Sequence, residues 1–152
     1  MSDRIRVVMD TNILVSAMLS SRSVPGDALR LAAQTCILLA SEATMAEAEE
    51  VFRRSKFDAL VPPAARARFL VRYREAAKFI PIVSRIEVCR DARDNKFVHL
   101  AIDGGAELIV TGDEDLLVLD PFQGVRVLSP RSFLAFQTRP GSSEFPRKHN
   151  PQ

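Results

Sequence analysis

Residues 7–12 read Val-Val-Met-Asp-Thr-Asn, and this stretch constrains the chain more than any other. Three consecutive apolar residues without polar alternation fit a strand buried on both faces, as in a parallel sheet covered by helices. The run stops at a carboxylate, Asp10, and residues 12–19 then read as a short helix. Open α/β sheets place their ligands at the carboxyl ends of such strands. Asp10 is therefore read as the first ligand of an acidic metal site.

The rest of the chain repeats the alternation. Pro25 opens a helix through Gln34, residues 36–40 form a second apolar strand, and Ser41 caps a helix to about Arg54. Pro62-Pro63 begins a basic helix, residues 64–78, followed by a third strand at 79–83. Pro81 lacks the N–H needed for a ladder bond, which puts that strand at a sheet edge. After a loop at 84–93, Asp94 reads as the cap of a helix with apolar face Phe97, Leu100 and Ala101, stopped by Gly104-Gly105. Strands at 108–110 and 125–128 flank a short helix at 116–119, and a last helix runs from Pro130 to Phe136. Residues 138–152, rich in Pro, Ser and charge, read as a tail without a core, so the domain is expected to span 1–137. Five strands alternating with helices predict an α/β fold with helices on both faces of a parallel sheet.

With 152 residues, 47% apolar and 26% charged, the chain has the length and composition of one soluble globular domain. Its net charge of +2 does not by itself announce a nucleic-acid binder. The distribution says more: residues 53–78 carry eight basic side chains against Asp58 and Glu75. Acids gather instead at 42–50, at Asp91 and Asp94, and at 113–115. A basic run reads most simply as a solvated helix face, and next to an acidic cluster it reads as a phosphate track. Cys36 and Cys89 form no CxxC pair and read as reduced, semi-buried thiols. No signal peptide or membrane-length apolar run is seen, so a cytoplasmic location and no membrane partner are expected.

Each acid has a structural alternative. Asp10 and Asp94 could be helix caps, and Asp113 could be a turn residue. Taken together, three Asp residues fall at strand ends or helix starts that this topology brings together, which capping does not require. The helix after Ser41 offers a fourth carboxylate. Met45, Ala48 and Phe52 form its apolar stripe, Glu47 and Glu49 flank the stripe, and Glu50 points away. Periodicity does not choose between Glu47 and Glu49.

Carboxylates held close repel, and a hard divalent cation relieves the repulsion. Mg²⁺ takes oxygen ligands at about 2.0–2.1 Å, and two such ions about 3.5–4 Å apart can activate water and steady a phosphodiester being cut. No His/Cys cluster suggests zinc, His99 reads as a surface residue, and no Gly-rich phosphate loop is present.

Four segments, Val-Met-Asp10-Thr-Asn, Met-Ala-Glu47-Ala-Glu-Glu-Val, Asp91-Ala-Arg-Asp94-Asn-Lys-Phe and Val-Thr-Gly-Asp113-Glu-Asp115-Leu-Leu, closed by Ser-Pro-Arg-Ser-Phe-Leu, carry a resemblance. In this order and spacing they resemble the PIN-domain nucleases, and more narrowly the PIN-family toxins of toxin–antitoxin pairs. The resemblance covers residues 5–136. It implies a Rossmann-like three-layer fold with strand order 3-2-1-4-5 and Mg²⁺- or Mn²⁺-dependent cleavage of RNA. It implies Asp10, Glu47, Asp94 and Asp113 as catalytic metal ligands, with Asp115 a further candidate and Asp91 outside the set. Thr11, Asn12 and Thr111 are implied to orient carboxylates or water. A homodimer and a silencing antitoxin are implied as partners. Arg53, Arg54 and Lys56 are the candidate start of the RNA phosphate track.

The sequence is open to two other readings. One is a PIN-type RNA-processing nuclease outside any toxin pair. The other is an aspartate-based phosphotransfer domain, which also has Asp at the end of its first strand. Phosphatases of that kind want a second Asp where this chain has Asn12, and receiver domains want acids where it has Arg4 and Arg6.

Overall fold

The computed structural model describes residues 4–137; the expected tail at 138–152 lies outside the described residues. Strands β1 (Arg6–Met9), β2 (Ile37–Ala40), β3 (Lys78–Phe79), β4 (Leu108–Val110) and β5 (Arg126–Leu128) form one parallel sheet. Their order is β3-β2-β1-β4-β5, as the sequence resemblance implied. The helices are α1 (Thr11–Leu19), α2 (Val24–Thr35), α3 (Glu42–Phe52), α4 (Pro63–Ala76), α5 (Asn95–Asp103), α6 (Glu114–Leu117) and α7 (Pro130–Gln137). Among the described residues no helix is long and apolar enough to cross a membrane.

The apolar run of β1 is explained by its two neighbours. Val7 and Met9 join Leu38, Ala40, Leu108 and Val110 in a core with α1–α4 and α7. Val8 joins Leu39, Ile109 and Val127 in a second core beneath α5 and α6. Both faces of the sheet are thus dry, and polar alternation would place a polar group in one of the cores. Fully burying each such side chain is worth about 1.5–3 kcal/mol.

Winding reverses between β1 and β4. Met9 pairs with Val110 in register, so the residues just past the two strand ends, Asp10 and Thr111, are neighbours. The Asp10 N–H extends the ladder to the Val110 carbonyl at 3.1 Å. Helix α5 delivers the next acid and ends as the sequence predicts. Ala106 N–H bonds the Ala101 carbonyl at 2.8 Å, Gly105 N–H bonds Ile102 at 3.3 Å, and Gly105 takes φ +64°. That is a Schellman stop, in which glycine tolerates the left-handed conformation.

Three expectations need correction. The third strand is Lys78–Phe79, not 79–83. Ile80 donates to the Ala40 carbonyl at 2.9 Å, and pairing ends at Pro81, which has no N–H to give. Helix α4 correspondingly stops at Ala76, not at Lys78. His99 is half-buried rather than a surface residue, its Nε2 2.6 Å from the Ile86 carbonyl, which ties the loop before α5 to the helix.

The basic run is also not all surface. Arg66 is 3% exposed; its guanidinium donates to the Phe52 carbonyl at 2.6 Å and the Arg54 carbonyl at 3.2 Å, and it pairs with Asp58. It closes the carboxyl end of α3, where backbone carbonyls lack helical partners. Arg66→Met keeps the stem but strands those acceptors, and should cost about 2–4 kcal/mol of stability. Urea denaturation measures this; a loss below about 0.5 kcal/mol would contradict the role.

Candidate metal centre

Asp10 occupies the N-cap position of α1 but makes no cap hydrogen bond from its side chain. Its Oδ2 accepts from the Thr111 hydroxyl at 2.6 Å, and it is 4% exposed. The same Thr111 oxygen accepts from the Asp113 N–H at 3.0 Å. One buried hydroxyl therefore aims its proton at Asp10 and its lone pair at the backbone that carries Asp113. Register explains why this can happen, since Thr111 directly follows β4 beside the end of β1.

Asp94 ends a 3₁₀ turn (Ala92–Asp94) that leads into α5. Its backbone is helical and its side chain makes no cap bond, so the expected cap is absent. Capping falls to Asp91, whose side chain accepts from the Arg93 N–H at 2.9 Å and pairs with the Arg93 guanidinium. The Asp94 carboxylate is thereby released inward, 9% exposed, and its Oδ2 is buried without a hydrogen-bond partner among the described residues. Asp113 behaves in part as the turn residue foreseen, since its Oδ1 accepts from the Asp115 N–H at 2.9 Å. Oxygens of Asp94, Asp113 and Asp115 all lie within 4.8 Å of one another.

Glu47 stands outside that trio of oxygens. Its Oε2 accepts from the Thr11 hydroxyl and its Oε1 takes Lys96 Nζ at 2.9 Å. Glu49, the alternative on the other flank of α3, pairs with Arg53 and Arg74 away from the cleft. Asn12 is exposed, and it is its backbone N–H that acts on Asp10, favouring the ionised carboxylate. Arg53 and Arg54 are exposed and form i,i+4 pairs with Glu49 and Glu50, while Lys56 lies 5.1 Å over the Phe57 ring. None of these three basic side chains contacts the carboxylates of the trio.

Electrostatics follow from burial. Burial raises the Asp10 carboxyl above its ordinary value, the Thr111 hydrogen bond opposes the rise, and the charges of Asp113 and Glu47 add to it. Burial, then contact with Asp113 and the charges of Asp113 and Asp10, push Asp94 up to about 7. Burial first, then the charges of Asp94, Asp113 and Asp115, push the Cys89 thiol up to about 11, so it stays a thiol at neutral pH. A partnerless buried oxygen in an all-oxygen set suits a hard divalent cation such as Mg²⁺ or Mn²⁺, and a neutral thiol does not make it a zinc site.

Sequence reading gave no role to Lys96, Asn95 or His99. Asn95 is buried, and its Oδ1 accepts from the Val88 and Cys89 N–H groups at 3.1 and 2.9 Å, fixing the loop before α5. Lys96 carried an available signal: it is a cation inside an acidic motif, two residues past Asp94.

The Asp94 shift has a definite sign in stability. The folded protein holds this proton to about pH 7 and the unfolded chain only to 3.8. Its contribution is full below the unfolded value and is lost as pH rises through the folded one. A cation binding the ionised set offsets that loss. Mg²⁺ should therefore raise the melting temperature more at pH 8 than at pH 5, and Asp94→Asn should flatten the difference. Equal gains at both pH values in calorimetry would contradict it.

The PIN domain family matches residues 6–115. An uncharacterized protein of Methanocaldococcus jannaschii is 28% identical over 124 residues, covering 76% of this chain and 76% of its own length. PAE2754 from Pyrobaculum aerophilum shares the fold with TM-score 0.58 and 17% identity, over 89% of this chain and 96% of that one. So does VapBC2 from Rickettsia felis, solved bound to a DNA fragment from their promoter, with TM-score 0.56 and 15% identity over 82% and 98% of the two chains. The family match takes in Asp10, Glu47, Asp94, Asp113 and Asp115, and the chain belongs to the PIN-domain family.

Proposed function

We propose that this protein is a Mg²⁺- or Mn²⁺-dependent endoribonuclease and the toxin of a toxin–antitoxin pair. The observation that carries the nuclease reading is that oxygens of Asp94, Asp113 and Asp115 lie within 4.8 Å of one another, with the buried Asp94 Oδ2 unpartnered among the described residues. Asp10, held by Thr111, would complete the set that holds the ion. When bound, a divalent cation supplies Lewis-acid polarisation of a phosphate oxygen and a water of lowered pKa. The chain's own contribution is rigidity: three of the acids are fixed by residues at strand ends or a helix start, so little rearrangement accompanies cleavage. The Thr111 hydroxyl favours the ionised form of Asp10 and aims it, and the Asp115 N–H holds Asp113.

An aspartate-based phosphotransfer reading is disfavoured by the same contacts. Asp10 is 4% exposed and one of its oxygens is already taken by Thr111. The toxin assignment rests on the sequence resemblance and on the likeness to the VapBC2 structure. A homodimer and a protein antitoxin belong to the same reading. Arg53, Arg54 and Lys56 stay candidates for the outer RNA track through their exposure.

The test is metal-dependent cleavage of a pool of structured RNAs, with the ends mapped. Asp94→Asn should lower the rate by more than about a hundredfold, exceeding the typical loss from disturbing an orienting group. Thr111→Val, which removes the hydroxyl while keeping the shape, should weaken Mn²⁺ binding by about 10–100-fold. Wild-type cleavage by both folded variants would rule out this site. Expression in a bacterial host reads the toxin half: growth arrest should require Asp94, and growth unaffected by the wild type would contradict it.

A further inference from the structure

Five carboxylates gather at or beside this cleft, yet a phosphodiester substrate is itself an anion. Among the described residues, Lys96 is the basic side chain in ion-pair contact with that acidic set, through Glu47 at 2.9 Å. Both members are 22% exposed, so the pair is partly desolvated but open to a ligand. Glu47 is doubly held, by Lys96 and by Thr11. An ammonium carries three N–H donors, and Glu47 takes one; the other two have no acceptor among the described residues.

Lys96 also lines a pocket of about 550 Å³ between the start of α3, the segment after β3, and α5. Its wall includes the apolar Phe79, Ile80 and Ile82 and the polar Ser41, Glu42 and His99. The volume falls in the range of about 300–1,000 Å³ usual for small-ligand sites, and a lining of apolar residues that carries Lys96 as well as the carboxylate of Glu42 can take a nucleoside whose phosphate meets Lys96. Phe79 is 38% exposed with the Arg74 guanidinium 5.3 Å over its ring, and the rest of its exposed aromatic surface is what a base would meet. Lys96 thus touches both the acidic cleft and this pocket.

We propose that the pocket is a nucleotide subsite and that Lys96, oriented by Glu47, binds the backbone phosphate joining that nucleotide to the one being cut. The inference rests on the RNA-cleaving reading for its substrate and assigns Glu47 a further task, positioning a cation. Single-stranded RNA fits better than duplex, because an unstacked base is needed to fill the pocket.

The four nucleoside 5′-monophosphates, titrated into the Mg²⁺-loaded protein, test the site without any cleavage step. Amide NMR shifts should cluster at residues 41–43, 79–82 and 96–99. Lys96→Met should weaken binding about tenfold or more, as for a lost charged hydrogen bond, and Lys96→Arg should largely restore it. Phe79→Ala should weaken it about fivefold or more. For RNA cleavage, Lys96→Met should raise KM and lower its dependence on salt by about one phosphate contact. Folding of each variant is checked by circular dichroism, and Lys96→Arg and Phe79→Ala carry the test if Lys96→Met does not fold. Shifts elsewhere, or unchanged binding in folded Lys96→Met, would overturn the subsite while leaving the nuclease reading intact. Lys96-dependent nucleotide binding by a protein that cuts no RNA would support the subsite and sink the nuclease reading instead.

Discussion

Like charges do not share a low-dielectric space unless something opposite joins them, and this molecule is arranged around that constraint. The parallel sheet forces Asp10 and Thr111 side by side past adjacent strand ends, and the turn after β4 brings Asp113 and Asp115 within reach of Asp94. The core on each face fixes those strand ends, so the acids cannot relax apart. Burial first, and then the nearness of the other acids, raises the carboxyls of Asp10 and Asp94. A cation bound among these carboxylates would relieve their repulsion, and that relief would count toward its binding.

Much of this was legible in the chain. Val7-Val8-Met9 fits a doubly buried strand, and its Asp10 ending pointed to the crevice. Other features were hidden for physical reasons. Glu47 and Glu49 flank the same apolar stripe, and only the side chains they meet, Thr11 and Lys96 against Arg53 and Arg74, separate them. Apolar residues continue past Phe79 and read as strand, but they pack on the second core without pairing, because Pro81 breaks the ladder. Asp94 looked like a helix cap because capping and ligation favour the same residue at the same place. The preceding Asp91 does the capping and frees it.

Charge was the least legible property. Counting Arg66 with its neighbours suggested a uniform basic face, whereas it is a buried bolt between α3 and α4. Lys96, unnoticed in a motif defined by its acids, is the cation closest in function to the cleft. Net charge treats these two side chains alike. Burial and partners make one a part of the scaffold and the other available to an anionic ligand.

Diffraction from a crystal soaked in Mn²⁺, collected for the metal's anomalous signal, tests the central claim most directly. A peak within coordination distance of Asp94 and Asp113 oxygens, with Asp115 or Asp10 beside it, is the expected result. A map with no peak at these carboxylates at saturating Mn²⁺, or with metal only at unrelated surface acids, would contradict a shared ion site.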